Sequence, residues 1–225
     1  MFVSMWMTKN PVTVLPTTPL TEVATMMARS RIRRFPVVAS KDPAAKIVGI
    51  LTASDILHAF PPELNPFSVA AVDTLAEQTL NDRKMPVTAA DIMTSKPLTI
   101  APDAPIEEAA RTMRDRKISV LPVVKDGLLL GIITQSDIFL ALVSIFESAG
   151  PGAARITFDI SEREDVFPLI ADIAKRRDLR VVTFVSLHKQ ERPLCVVEVT
   201  GKNVDKMLDD VWKSHHRVMS VIKLQ

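Results

Sequence analysis

Thr52, Ser54 and Asp55 stand in the order Thr-x-Ser-Asp, and Thr134, Ser136 and Asp137 repeat that order further along the chain. A hydroxyl can donate or accept a hydrogen bond, whereas an ionised carboxylate only accepts. Each trio follows a short apolar run opened by a glycine (Gly49-Ile50-Leu51 and Gly131-Ile132-Ile133) and precedes an apolar helical pattern that starts at Ile56 or Ile138. The trio therefore sits where a strand turns into a helix and where backbone N–H groups lack partners. Side chains of these types can cap the helix they begin or hold a polar ligand, and one carboxylate could serve both. A Thr-x-x-Asp cap alone is worth about 1 kcal/mol.

The elements that must position these residues are themselves duplicated. Met7-Thr8 and Pro11-Val12-Thr13-Val14 match Met93-Thr94 and Pro97-Leu98-Thr99-Ile100 at an offset of 86. Pro16, Pro19, Glu22, Met27 and Ile32 fall on Pro102, Pro105, Glu108, Met113 and Ile118 at that same offset. Phe35-Pro36-Val37-Val38 falls on Leu121-Pro122-Val123-Val124, after which the offset drops to 82 because residues 39–46 outnumber the Lys125-Asp126-Gly127 turn. Each copy reads as β-α-β-β-α. An extended piece precedes a helix carrying Leu20, Val23, Ala24 and Met27, or Ile106, Ala109, Ala110 and Met113, at helical spacing. Two strands and the Thr-x-Ser-Asp helix follow. A unit this small buries little surface alone, so two stacked copies are the natural folding domain.

The repeats span 1–58 and 91–149, joined by a partly helical connection at 59–90. Gly150-Pro151-Gly152 marks a boundary, and 153–225 reads as βαββαβ, an antiparallel sheet covered on one face by two helices. The sequence thus predicts a mixed α/β and α+β chain.

Composition narrows the function classes. Of 225 residues, 47% are apolar and 24% charged, with a formal net charge of +2, so nothing favours nucleic acid or an anionic membrane surface. The most apolar stretch, 128–146, is interrupted by Asp137 and makes a poor membrane span. A cytoplasmic location is expected. The one cysteine, Cys195, lies in an apolar run and reads as a buried thiol. No Ser-His-Asp grouping, paired-carboxylate motif, glycine-rich phosphate loop or metal-ligand spacing stands out. His215 and His216 read as a solvated helix end. The basic cluster from Arg29 to Arg34 fits either a solvated face or an anion-binding surface.

The duplicated Pro-x-Thr segments, the Phe/Leu-Pro-Val-Val segments and the two Gly-x-x-Thr-x-Ser-Asp junctions together resemble a tandem CBS-domain pair, or Bateman module, over about residues 1–148. The tail resembles an ACT-like, ferredoxin-like domain by topology, and the combination is similar to the acetoin-utilisation type of CBS protein. The resemblance implies a non-catalytic regulatory module. It would bind AMP, ADP, ATP or S-adenosylmethionine between the repeats, require no cofactor and no metal, and form a homodimer through the CBS or ACT-like domains.

Residue by residue, the resemblance implies one cleft from Val12, Thr13, Ile32 and Arg33 with Thr134, Ser136 and Asp137. The other combines Leu98, Thr99, Ile118 and Ser119 with Thr52, Ser54 and Asp55. There Asp55 or Asp137 could take the two ribose hydroxyls, while Thr and Ser hydroxyls and helix N–H groups suit phosphate oxygens. Arg31, Arg33, Arg34 and Lys117 could neutralise a phosphate tail. Loop 161–165 lacks the glycine with which ACT domains usually receive an amino acid, so dimerisation is the expected role of the tail. The alternative is a purely structural oligomerisation module with empty clefts.

Overall fold

The structure is a computed structural model that describes residues 1–42, 45–60, 88–145, 152–162, 165–188 and 191–224. Two compact units divide the chain, Met1–Ala141 and Leu142–Gln225.

In the first unit the order is α1 (Val3–Trp6), β1 (Thr8–Lys9), α2 (Leu20–Ser30), β2 (Arg34–Val38), β3 (Ile47–Thr52) and α3 (Ala53–Ala59). The second half repeats it as α4 (Ala89–Ile92), β4 (Thr94–Ser95), α5 (Ile106–Arg116), β5 (Val120–Lys125), β6 (Leu128–Thr134) and α6 (Gln135–Ile145), the last four residues of which belong to the second unit. The expected apolar stripes are the buried ones: Leu20, Val23, Ala24 and Met27 on α2, and Ile106, Ala109 and Met113 on α5, with Ala110 half-buried. Pro19 and Pro105 immediately precede these helices as N-cap residues. The extended pieces shrink to single residues, Val14 bridging Val37 and Ile100 bridging Val123 in parallel. Lys125 pairs with Leu128 across Asp126-Gly127, both at positive φ (53° and 79°), the geometry a two-residue hairpin needs. The segment expected at 69–80 and the boundary at 150–151 lie outside the described residues.

The two copies exchange their leading segments. β1 pairs with β6 (Thr8 opposite Ile132), and β4 pairs with β3 (Thr94 opposite Ile50), so each sheet gains its third strand from the other copy. Val3 accordingly packs into the core of Ile106, Met113, Leu121 and Ile133, while Ala89 packs with Leu20, Val23, Phe35 and Leu51. The anchoring hydrogen bonds correspond one for one: Val3 N to Ala104 O (3.0 Å) and Ser4 N to Pro102 O (2.8 Å), against Ala89 N to Thr18 O and Ala90 N to Pro16 O (both 2.9 Å). Packing thus crosses the sequence repeat, and Ile50, Val120 and Ile132 form a small apolar cluster of their own.

Gly131 permits this close approach. A Cβ there would lie 2.5 Å from the Thr8 carbonyl oxygen, whereas at Gly49 it would meet chiefly the flexible Met93 side chain, with Sδ at 2.4 Å. Gly131→Ala should therefore force β1 away from β6 and cost about 1–3 kcal/mol, with Gly49→Ala costing less. Denaturant titration of both variants checks the order; equal losses would contradict it.

The second unit runs β7 (Ala153–Asp159), α7 (Val166–Arg177), β8 (Arg180–Leu187), β9 (Leu194–Thr200), α8 (Val204–Lys213) and β10 (Val218–Lys223). Its antiparallel sheet has the order β10-β7-β9-β8, the βαββαβ arrangement expected from the pattern. Ala154, Ile156, Phe158, Cys195, Val197 and Val199 form one core with Ile170 and Ile173 of α7 and Met207 and Val211 of α8. Glu198 is the one buried charged side chain among the described residues, and Arg155, directly opposite on β7, donates to its Oε2 from Nε (3.1 Å) and Nη2 (2.8 Å).

Candidate functional site

At each strand-to-helix junction the backbone reverses from strand to helix within one residue. Thr52, with φ −119° and ψ 163°, caps α3. The Asp55 carboxylate oxygen Oδ2 accepts from Thr52 N and Thr52 Oγ1 (both 2.7 Å), and Thr52 Oγ1 accepts from Asp55 N at 3.4 Å. Thr134 and Asp137 make the same three bonds at the same lengths. The cap is real in both copies, and it occupies only one carboxylate oxygen of each Asp. Oδ1 of Asp55 and of Asp137 has no partner among the described residues.

This geometry corrects one expectation. The hydroxyl hydrogens of Thr52 and Thr134 point at their own aspartates, so they are not donors for a phosphate. Among the junction hydroxyls, Ser54 and Ser136 are exposed and remain for that task.

Around Asp55 the fold forms a solvent-open cavity of about 610 Å³. One wall is Ile50, Thr52, Ser54 and Asp55 from the β3–α3 junction; another is Thr94, Lys96, Pro97 and Leu98 from β4 and the segment after it. Lys117, Ile118, Ser119, Val120 and Pro122 from the α5–β5 connection face them, with Gln135 at the start of α6. The structure thus brings together Leu98, Ile118, Ser119, Thr52, Ser54 and Asp55, while Thr99 is exposed and outside the lining. The exchange of β4 places Lys96 and Pro97 here. Sequence reasoning left Lys96, Thr94 and Gln135 out of the site. The signal for Lys96 was its place two residues before Leu98, where repeat 1 has Asn10, and both residues adopt the left-handed backbone (φ 49° and 48°). Charged lining residues are Lys96, Lys117 and Asp55. Arg34 reaches this wall from β2, donating to Ser119 Oγ from Nε (3.2 Å) and Nη2 (3.1 Å).

The residues expected in the other cleft are distributed differently. Among the described cavities, Thr13 lines one of about 240 Å³ with Asn10, Val38 and Asp42, and Arg33 lines another of about 620 Å³ with Met27, Arg31 and Leu57. Val12 is 44% exposed, Ile32 and Asp137 are half-buried, Ser136 is exposed, and Thr134 closes its cap with Asp137.

A family model of the CBS domain matches residues 3–62 and 89–144, more than half of the chain. The chain belongs to the CBS-domain family. The matched segments start at Val3 and Ala89, where the exchanged segments of this CBS pair begin. An uncharacterized protein of Methanocaldococcus jannaschii, MJ1426, is 31% identical over 150 residues, 60% of this chain and 88% of that protein. Inosine-5'-monophosphate dehydrogenase of Staphylococcus aureus is 30% identical over 129 residues, and the match spans 57% of this chain but 22% of that enzyme. Among solved structures, CBSX2 of Arabidopsis thaliana in complex with AMP shares 26% identity and a TM-score of 0.51, covering 65% of this chain and 98% of that one. A Vibrio cholerae protein assigned to acetoin utilization (AcuB) shares 28% identity and a TM-score of 0.50, covering 65% and 95%. The CBS match ends at residue 144, before the tail that carries the β10-β7-β9-β8 sheet.

In the second unit Cys195 lines a cavity of about 600 Å³ with Ser161, Asp165 and His188. Cys195 is buried, and burial pushes its thiol up to about 11, so it is no nucleophile at neutral pH. His215 and His216 lie beyond the end of α8 rather than within it, and no group of metal-ligating side chains occurs among the described residues. No helix among them is long and apolar enough to cross a membrane.

Proposed function

We propose that the chain is a non-catalytic sensor that binds an adenine nucleotide or related adenosyl ligand between its two CBS repeats. The observation that carries this is the 610 Å³ cavity, in which one carboxylate oxygen of Asp55 is open while two lysines stand on the facing walls. A ribose diol supplies two donors for an acceptor-only oxygen, and a phosphate supplies acceptors for the ammonium groups. Ile50, Leu98, Ile118 and Val120 offer the apolar surface a purine ring needs. AMP bound to CBSX2, whose fold this chain shares, supports the same assignment. AMP, ADP, ATP and S-adenosylmethionine are the candidate ligands.

In this reading Leu98, Ile118, Ser119, Ser54 and Asp55 contact the ligand, and Thr52 holds Asp55. The cleft of Val12, Thr13, Ile32, Arg33, Ser136 and Asp137 is the second, pseudo-equivalent site. Repeats 1–58 and 91–149 form the sensing module, and the ACT-like domain at 153–225 pairs two copies. A ligand that favours one arrangement of the paired modules over another shifts their populations, which is how binding is reported to a target.

The test is a thermal-shift panel on the full chain with AMP, ADP, ATP and S-adenosylmethionine. At 100 times its dissociation constant a ligand adds about 2.7 kcal/mol. For a chain of 225 residues that is a rise in Tm of about 5–10 °C. No rise with any of the four at millimolar concentration would refute the assignment. Sedimentation with and without the active ligand then reports the change in assembly; a response there separates the sensor from a module that is structural only.

A further inference from the structure

We infer that the cavity around Asp55 selects among adenosyl ligands by their negative charge, with Ser119 as a dedicated hydrogen donor held in place by Arg34. The inference rests on the nucleotide reading above and adds to it which ligands win and which residue outside the lining decides it.

Arg34 donates to Ser119 Oγ from two nitrogens, Nε at 3.2 Å and Nη2 at 3.1 Å. A serine hydroxyl has two lone pairs and one hydrogen. The guanidinium holds the acceptor side of this oxygen with a forked pair of bonds, and the hydroxyl hydrogen has no acceptor among the described residues. Since Ser119 lines the cavity, it meets a ligand as a donor. A guanidinium hydrogen-bonded to the oxygen also polarises its O–H, which strengthens donation to an anion.

The other groups point the same way. Lys96 and Lys117 can only donate, and Asp55 is the one carboxylate in the lining. Its Oδ2 is committed to Thr52, so a ligand that spends Oδ1 on ribose hydroxyls leaves no free carboxylate oxygen for a cation. A phosphate satisfies the donors; the sulfonium of S-adenosylmethionine would stand among ammonium groups, and uncharged adenosine would leave the donors without an anion. Arg34 is specific to this site. At the offset of 86 its counterpart in repeat 2 is Val120, and the counterpart of Ser119 is Arg33, so the opposite cleft lacks the pair. Arg34 is a positioning residue, acting through Ser119.

Isothermal titration of the full chain with adenosine, AMP and S-adenosylmethionine at one ionic strength tests the inference, repeated with Ser119→Ala, Arg34→Met and the double variant. AMP is expected to bind at least tenfold tighter than adenosine or S-adenosylmethionine. Each single substitution should weaken AMP about three- to tenfold and leave adenosine within twofold, and the double variant should be no worse than Ser119→Ala alone. Arg34→Met weakening both ligands equally would show a merely structural role and overturn the inference. Should Arg34→Met fail to fold, the small Ser119→Ala change still decides by the AMP-to-adenosine ratio. Equal affinity for adenosine and AMP in the unchanged chain overturns charge selection alone, whereas no binding by any of the three overturns the nucleotide reading as well.

Discussion

Replacing Arg155 with methionine is expected to destabilise the C-terminal unit by about 3–5 kcal/mol. Glu198 has 0% of its surface exposed, and Arg155, 25% exposed at its side chain, brings two N–H donors to one of its oxygens. A carboxylate taken out of water is tolerated only when opposite charge and hydrogen bonds replace the lost hydration. Removing the guanidinium while leaving the carboxylate behind costs about 3–5 kcal/mol. Whole domains are stable by about 5–15 kcal/mol, so this single change removes a large share of what the unit has. Removing both charges is a different matter. Arg155→Met combined with Glu198→Leu leaves no uncompensated charge, and it should recover most of the loss. Denaturant titration of the full chain, with hydrogen exchange to assign the transition to residues 153–224, checks both. A loss under about 1 kcal/mol for Arg155→Met would contradict the account.

Asp55→Ala is expected to weaken nucleotide binding in the 610 Å³ cavity tenfold or more while costing the fold about 1 kcal/mol. The two effects come from the two oxygens. Oδ2 accepts from Thr52 N and Oγ1, and losing it frays the start of α3. Oδ1 is the acceptor offered to a ligand, and a charged hydrogen bond of that kind is worth about 1.5–3 kcal/mol, tenfold or more in affinity. Asp91 provides the control. It makes the same kind of cap, with Oδ2 accepting from Thr88 N at 2.8 Å and Thr88 Oγ1 at 3.0 Å, yet it does not line the cavity. Asp91→Ala should cost similar stability and leave AMP binding alone. If calorimetry finds the two variants equally impaired, the carboxylate acts only as a cap.

The duplicated architecture was legible because strands and helices leave periodic apolar traces, and because Thr-x-Ser-Asp occurs twice in the same context. The exchange of leading segments was not. Val3-Ser4-Met5-Trp6 and Ala89-Ala90-Asp91-Ile92 share no residue at corresponding positions, and what equates them is backbone hydrogen bonding to Ala104 and Thr18, which leaves no mark on side-chain identity. Lys96 escaped notice for the same reason, since only the exchange carries it to the wall facing Asp55. The Arg34–Ser119 contact joins residues 85 positions apart, and the Arg155–Glu198 pair joins residues 43 apart. Contacts at such separations become visible only once the fold brings the two segments together. The Thr-x-Ser-Asp motif itself was ambiguous between cap and ligand site because the cap uses one carboxylate oxygen of each aspartate and leaves the other open.

A nucleotide is expected to sit between Asp55 and Ser119. A crystal structure of the full chain grown with AMP tests it most directly. The ribose hydroxyls are expected on Asp55 Oδ1 and the phosphate on the side of Lys96, Lys117 and Ser119. A nucleotide bound elsewhere on the chain, with this cavity empty in the same crystal, would contradict it.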